Sequence, residues 1–274
     1  MKLQSFRFPT VTTGLAGCHY ACYKRTMKTA CILTLLSFAA APLLAADPAE
    51  EIKAAAQKLA DKGTYAWTAK NESPQADRAG RGGGFGPASG KTEKGGFTYI
   101  AWTGRDSKTE AIKKGDKFVL KTGEEWQTAS ELEDGGGDNQ RARFTSRRVQ
   151  NFKLPAQETT DLVGKVKNIK KEGDAYTAEL TPEALKQMYT FGRRPGGGDS
   201  PAAGPDVSKL KGTAKFWIKD GVLSRYQTHV TGSMAFGQDG REIDVDRTNT
   251  FEITDVGTAK VEVPAEAKKK LGSS

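Results

Sequence analysis

Beyond residue 46 this 274-residue chain has no cysteine, because Cys18, Cys22 and Cys31 all lie ahead of that point. The remainder therefore has no disulfide, no thiolate metal site and no cysteine nucleophile. It has a single histidine, His229. That removes most zinc sites, and Ser-His-Asp chemistry too unless this one residue serves. Apolar residues are scarce at 36%, whereas glycine is abundant at 31 residues; long loops account for both. An excess of charge is also missing. Lys2, Arg7, Lys24, Arg25 and Lys28 precede residue 47, and without them 37 basic residues face 33 acidic ones, a balance of +4. Such a balance gives no reason to expect a nucleic-acid partner.

Only one long apolar run is present. Residues 28–46 read KTACILTLLSFAAAPLLAA. Lys24, Arg25 and Lys28 make a basic start, Ile32 to Leu44 an apolar middle, and small residues lead into Asp47. This is the layout of a secretory signal peptide cleaved after Ala45 or Ala46. The mature protein is expected to be periplasmic or secreted. The run is short for a membrane span and no second one follows, so no transmembrane segment is expected after residue 46. Met27 is the expected true start. Leu15-Ala16-Gly17-Cys18 resembles a lipobox, but the stronger apolar run downstream makes lipidation at Cys18 the less favoured reading.

From residue 47 the pattern predicts one domain over 47–274. Asp47-Pro48 is a helix start, Ile52, Ala55, Ala56 and Leu59 share a face, and Gly63 is a stop. Short strands are predicted over 64–70, 97–103, 109–114, 117–122 and 125–127. A basic helix over 139–152 ends at Pro155. A short helix over 158–163, strands over 165–171 and 175–180, and a helix opened by Thr181-Pro182 follow. Strands over 212–219 and 222–231 are joined by Asp220-Gly221, a hairpin signal. Strands over 243–255 and 261–263 and a helix over 265–271 complete the chain. Glycine-rich flexible inserts are expected near 71–96, 134–138 and 192–206. Hairpin-linked strands imply an α+β fold: a single curved antiparallel sheet, or half-barrel, with helices packed on its concave face.

The order of elements resembles the LolA/LppX group of periplasmic lipoprotein carriers and lipid-binding proteins. The likeness rests on the early amphipathic helix, Lys117-Phe-Val-Leu120 and Trp126, then Phe216-Trp-Ile-Lys-Asp-Gly-Val-Leu223. It closes on Phe251-Glu-Ile-Thr-Asp-Val-Gly257 and Val261-Glu-Val-Pro-Ala265. The resemblance implies an apolar cavity between half-barrel and helices, acyl-chain binding, and no enzymatic activity or cofactor.

Other motifs read better as plain structure. Gly86-Pro-Ala-Ser-Gly90-Lys91-Thr92 misses the phosphate-loop register, since Phe85 stands where its first glycine belongs. The glycine-arginine stretch Arg78 to Phe85 reads as a solvated loop. Glu242, Asp244 and Asp246 lack the glycine and glutamate spacing of a calcium loop and fit the wet side of a strand. His229 reads as a histidine on a polar strand face, with no base arrangement around it.

Two groups of residues remain as candidate sites. Tyr65, Trp67, Tyr99, Trp102, Phe118, Trp126 and Phe216 are strand aromatics that could line a ligand cavity, although burial in a core is their commoner use. Arg141, Arg143, Arg147 and Arg148 on the basic helix suit an anionic surface or an acidic partner. The expected function is therefore a non-enzymatic extracytoplasmic protein carrying a hydrophobic ligand, a lipid or a lipoprotein acyl chain. The alternative is a cell-envelope sensor or adaptor that binds another envelope protein or an anionic surface.

Overall fold

Asp47 opens the first helix, α1 (Pro48–Lys62), by accepting the Ala49 N–H on Oδ1 at 3.0 Å. Pro48 loses nothing at the first position because its missing N–H would be unpaired there anyway. Gly63 ends the helix at φ 62°, returning its N–H to the Leu59 carbonyl. Between the caps Ile52, Ala55, Ala56 and Leu59 are buried, and each large one contributes about 2 kcal/mol of apolar burial. The computed structural model describes residues 47–74, 88–103, 108–134, 140–190, 206–236 and 241–272. Residues 1–46, with the three cysteines and the expected signal peptide, and most of the three expected inserts lie outside these residues.

Six strands follow α1 in a meander: β1 (Tyr65–Glu72), β2 (Ala88–Thr92), β3 (Phe97–Thr103), β4 (Lys108–Lys114), β5 (Lys117–Thr122) and β6 (Glu125–Thr128). Three helices then intervene: α2 (Ala129–Asp134), α3 (Gln140–Gln150) and α4 (Pro155–Val163). A second meander holds β7 (Val166–Glu172), β8 (Ala175–Leu180), β9 (Lys211–Lys219), β10 (Val222–Phe236) and β11 (Arg241–Thr254), with α5 (Pro182–Thr190) between β8 and β9 and α6 (Ala265–Lys270) at the end. The described strands form one antiparallel sheet in the order β6-β5-β4-β3-β2-β1-β11-β10-β9-β8-β7. It stays open, with β6 and β7 as edges, as a half-barrel requires. Asn168 at φ 56° sits in a register break of β7, a bulge of the kind that spoils an edge for further pairing.

Cross-strand partners fix which residues share a face. Trp67 lies opposite Ile253 and Gly90, Gly90 opposite Ile100, and Ile100 opposite Ala111. On the other side Tyr226 lies opposite Phe251 and Phe216, and Phe216 opposite Tyr176. These residues make one core with Ile52 and Leu59 of α1, Val149 of α3, Leu162 and Val163 of α4, and Leu185 of α5. The opposite face carries a smaller core of Ile112, Val119, Trp126, Ala267 and Leu271. Helices α1, α3, α4 and α5 thus share one face, and α6 covers part of the other.

Several boundaries differ from the sequence reading. Residues 88–92, expected within a flexible insert, form β2. There Gly90 has no room for a side chain, since a Cβ would stand 2.1 Å from the Trp67 ring. With Lys91 and Thr92 in a strand, and the Thr92 and Thr98 hydroxyls 3.2 Å apart, the phosphate-loop reading is excluded. Pro155 begins α4 rather than merely ending the basic helix. Residues 261–263 are not a strand: the Val261 N–H bonds the Glu93 carboxylate at 3.1 Å instead of a ladder partner. The helix α2 was not expected, while β10 runs five residues further than the 222–231 reading.

Candidate functional site

The seam between the helix layer and the sheet is built from alternate residues of each strand. Of the seven strand aromatics, Tyr65, Trp67, Trp102, Phe118 and Phe216 face it and are buried. Trp126 belongs to the core under α6, and Tyr99 packs beside it. Tyr99 gives its hydroxyl to Glu110. The seven are therefore not one cavity wall, because strand parity divides them. Trp67 is the centre of the seam. Phe152 stacks on it at 5.8 Å with 17° between ring planes, and Tyr65 tilts against it at 5.9 Å. Tyr226 and Phe251 stack at 4.5 Å.

Polar groups lie within this apolar layer. The Tyr226 hydroxyl donates to Glu158 Oε2 at 2.7 Å. Burial pushes the Glu158 carboxyl above its usual range, an effect only partly offset by the Tyr226 hydrogen bond. Burial, then the Glu158 charge, holds the Tyr226 phenol well above 10.0. Thr159 Oγ1 has no hydrogen-bond partner among the described residues, and Tyr65 Oη makes no close one, with only the Ala156 backbone beside it. Burial raises the Tyr65 phenol to about 12, while the nearby Ala156 backbone pulls it part of the way back. Tyr176 gives its hydroxyl to Glu51 of α1. Leaving buried hydroxyls unpaired costs free energy, so this part of the seam is less settled than a fully apolar core.

A cationic group marks another part of the seam. Arg148 of α3 lays its guanidinium 4.8 Å from the Trp102 ring centroid. Its pKa falls to about 10, first through burial and then through the charge of Arg247. Arg247 of β11 donates from Nε to Asn71 Oδ1 at 3.1 Å. Tyr189 of α5 is close enough for Arg247 to draw its phenol down, against the larger upward effect of burial. Arg147, next in sequence to Arg148, is exposed. The side chains of Arg141 and Arg143 lie outside the described part of the structure. The four arginines are thus not one surface group, for Arg148 turns inward.

Arg247 was missed by the sequence reading, although its signal was there. Ile243, Val245, Phe251 and Ile253 mark the apolar phase of β11, and Arg247 stands in that phase. Glu242, Asp244 and Asp246 occupy the other phase, as read. Glu242 pairs with Lys209, and His229 Nε2 lies 3.1 Å from Asp246 Oδ1, both pairs being exposed. The sequence showed no acid beside His229; pairing of β10 with β11 supplies one. Among the described residues no group of three His, Cys, Asp or Glu side chains could hold a metal, and no helix is long and apolar enough to cross a membrane.

No family model matches the chain, and no curated protein matches it. Solved structures do. The Mycobacterium tuberculosis lipoprotein LppX is 14% identical, with 79% of this chain and 98% of that one covered at a TM-score of 0.45. LprF from Mycobacterium bovis is 11% identical, covering 80% and 97% at a TM-score of 0.36. A LolA superfamily protein from Nitrosomonas europaea is 9% identical, covering 76% and 95% at 0.24.

Proposed function

We propose that the chain is an exported, non-enzymatic binding protein that carries a hydrophobic ligand, a lipid or lipoprotein acyl chain, between its helix layer and its sheet. The observation that carries this reading is an apolar edge of the core that reaches the surface at the far ends of β10 and β11. On β11 the seam-facing residues Ile253 and Phe251 belong to or pack on the core, Asn249 and Arg247 follow, and beyond them Val245 packs on the core edge while Ile243 is 42% exposed. Met234 of β10, opposite Ile243, is half-buried. A packed domain has no structural need to carry its core edge out to an exposed isoleucine, whereas a chain-binding protein needs an apolar mouth beside its interior. His229 supports a non-catalytic reading by its place, exposed on the outer face of the sheet and facing Asp246 rather than the seam.

The test is native mass spectrometry of residues 47–274 purified from a periplasmic extract without detergent. A discrete added mass, extractable into organic solvent as lipid, is expected. Ile243→Lys should cut the loaded fraction several-fold while changing stability by less than about 0.5 kcal/mol, since the side chain is exposed. A clean unliganded mass that persists after incubation with lipid vesicles would overturn the carrier reading and favour an envelope adaptor.

A further inference from the structure

Strand β11 runs past its neighbour on one side. Its residues 248–254 pair with β1, whose last rung sets Glu72 opposite Thr248. On the other side, pairing with β10 continues as far as Arg241 opposite Phe236. Pro74 stands where the register would place a partner for Asp246. It has no N–H to give a rung, so β1 leaves the ladder here. Among the described residues, 241–247 therefore have no strand beside them on the side away from β10. Alternate residues of that stretch turn their N–H and C=O groups to this side. The matching stretch of β10 is not open in the same way, because Asp206 exchanges two backbone hydrogen bonds with Ala235, at 3.0 and 3.2 Å.

Proteins usually blunt a free edge. Here β7 carries the bulge at Asn168, and β6 is only 4 residues long. The register of β11 with β10 runs unbroken through 241–247. The two faces of this stretch differ. Glu242, Asp244 and Asp246 lie on the outer face, and Ile243 and Val245 on the seam face. Lys209 pairs with Glu242 and His229 with Asp246, whereas Asp244, exposed between them, forms no ion pair among the described residues. Ile243 is the most exposed large apolar residue among those described, at 42%.

An added antiparallel strand sets its side chains directly opposite these, face to face. A second copy of the same edge does not fit. Every register that keeps the two faces aligned puts acid opposite acid, and like charges so placed destabilise the pair. A slip by one residue sets the acids on the face of Ile243 and Val245 instead. A segment with Lys or Arg at alternate positions and apolar residues between them satisfies both faces at once.

We propose that residues 241–247 of β11 are a docking edge for an extended, alternately basic and apolar segment of a partner protein, which joins the sheet as a further strand. Backbone hydrogen bonds hold the segment. Its basic side chains lie beside Glu242, Asp244 and Asp246, and its apolar ones cover Ile243 and Val245. The proposal goes beyond the carrier reading and does not rest on it.

The test uses residues 47–274 and three capped peptides. One is Lys-Val-Lys-Ile-Lys-Val-Lys, one has the same composition with its lysines in a single block, and one has Glu in place of every Lys. Binding is followed by calorimetry at low ionic strength and by amide hydrogen exchange. Only the alternating basic peptide is expected to bind, slowing those amides of 241–247 that exchange fast in the protein alone. Asp244→Lys, at an exposed position, should weaken this binding by roughly tenfold and turn the preference to the acidic peptide. Methylating the peptide nitrogens at the lysines blocks one strand edge, and methylating them at the apolar residues blocks the other. One methylated form should bind and the other should not, whereas binding by charge alone tolerates both. Absence of binding, equal binding of the block peptide, or binding that leaves exchange at 241–247 unchanged overturns the proposal. So does slow exchange at every amide of 241–247 in the protein alone, which means that the chain itself or a second copy already fills the edge. Lipid loading is read separately as added mass, so either result leaves the carrier reading to its own test.

Discussion

Tyr65 shows what a single side chain can cost. Its ring fills the seam beside Trp67, yet its buried hydroxyl makes no close hydrogen bond among the described residues and has only the Ala156 backbone beside it. Burial lifts its ionisation from 10.0 to about 12. Between those values the unfolded chain has released a proton that the folded one still holds. Stability therefore falls as pH rises from 10 toward 12, at about 1.4 kcal/mol per pH unit for one group. Tyr65→Phe removes this contribution. Urea denaturation should find the variant within about 1 kcal/mol of the parent at pH 8 and less sensitive than the parent between pH 10 and 11. Equal alkaline sensitivity of the two proteins would refute the assignment. At this scale the sequence is only partly legible. Arg147 and Arg148 are adjacent and chemically identical, and only the phase of α3 against Trp102 sends one into water and the other into the seam. Arg247 was legible in principle, as a charge in the apolar phase of its strand, but the acids around it drew attention to the opposite face.

Helices and hairpins were read better than single residues because their signals are local. Asp47-Pro48 and Gly63 bracket α1, and Asp220 and Gly221, at φ 55° and 72°, make the positive-φ turn between β9 and β10. Strand β2 was hidden because its sequence, Ala-Ser-Gly-Lys-Thr, has weak strand propensity; its glycine is required by Trp67 on the neighbouring strand, a contact no local window contains. Parity likewise divides Tyr99 and Trp126 from the other aromatics only after the strands are paired. Helix α6 is the element whose contribution is most separable. Its Ala267 and the following Leu271 are buried on Ile112, Val119 and Trp126, on the face away from the seam. Leu271→Ala should destabilise the protein by about 2–4 kcal/mol and leave lipid capture by the folded protein unchanged. Chemical denaturation together with the lipid count checks both halves of that statement, and a loss of capture at unchanged stability would contradict it.

For the molecule as a whole, the strand order reads as a closed circle of hairpins cut once. Every strand pairs with its neighbour in sequence except β6 and β7, where α2, α3 and α4 intervene, and the circle is completed by β1 against β11. The first and last strands thus form the middle of the sheet, not an edge. Their pairing joins residues as distant as Ala66 and Thr254, so it closes the longest loop of the fold and should be late and slow to form. The same pairing decides how the protein meets a tensile load. The incoming end of β1 and the outgoing end of β11 lie at one end of the ladder, with the Gly257 N–H bonded to the Thr64 carbonyl just beyond it at 2.7 Å. Traction on the two ends of the domain therefore opens this ladder as a zipper, rung by rung, instead of shearing all rungs at once. Single-molecule stretching by the termini should record a low rupture force, and stretching by points in β6 and β7 should not follow that route. Tethered by its ends, the protein has its weakest line down its centre, between two meanders that each keep their own hairpins.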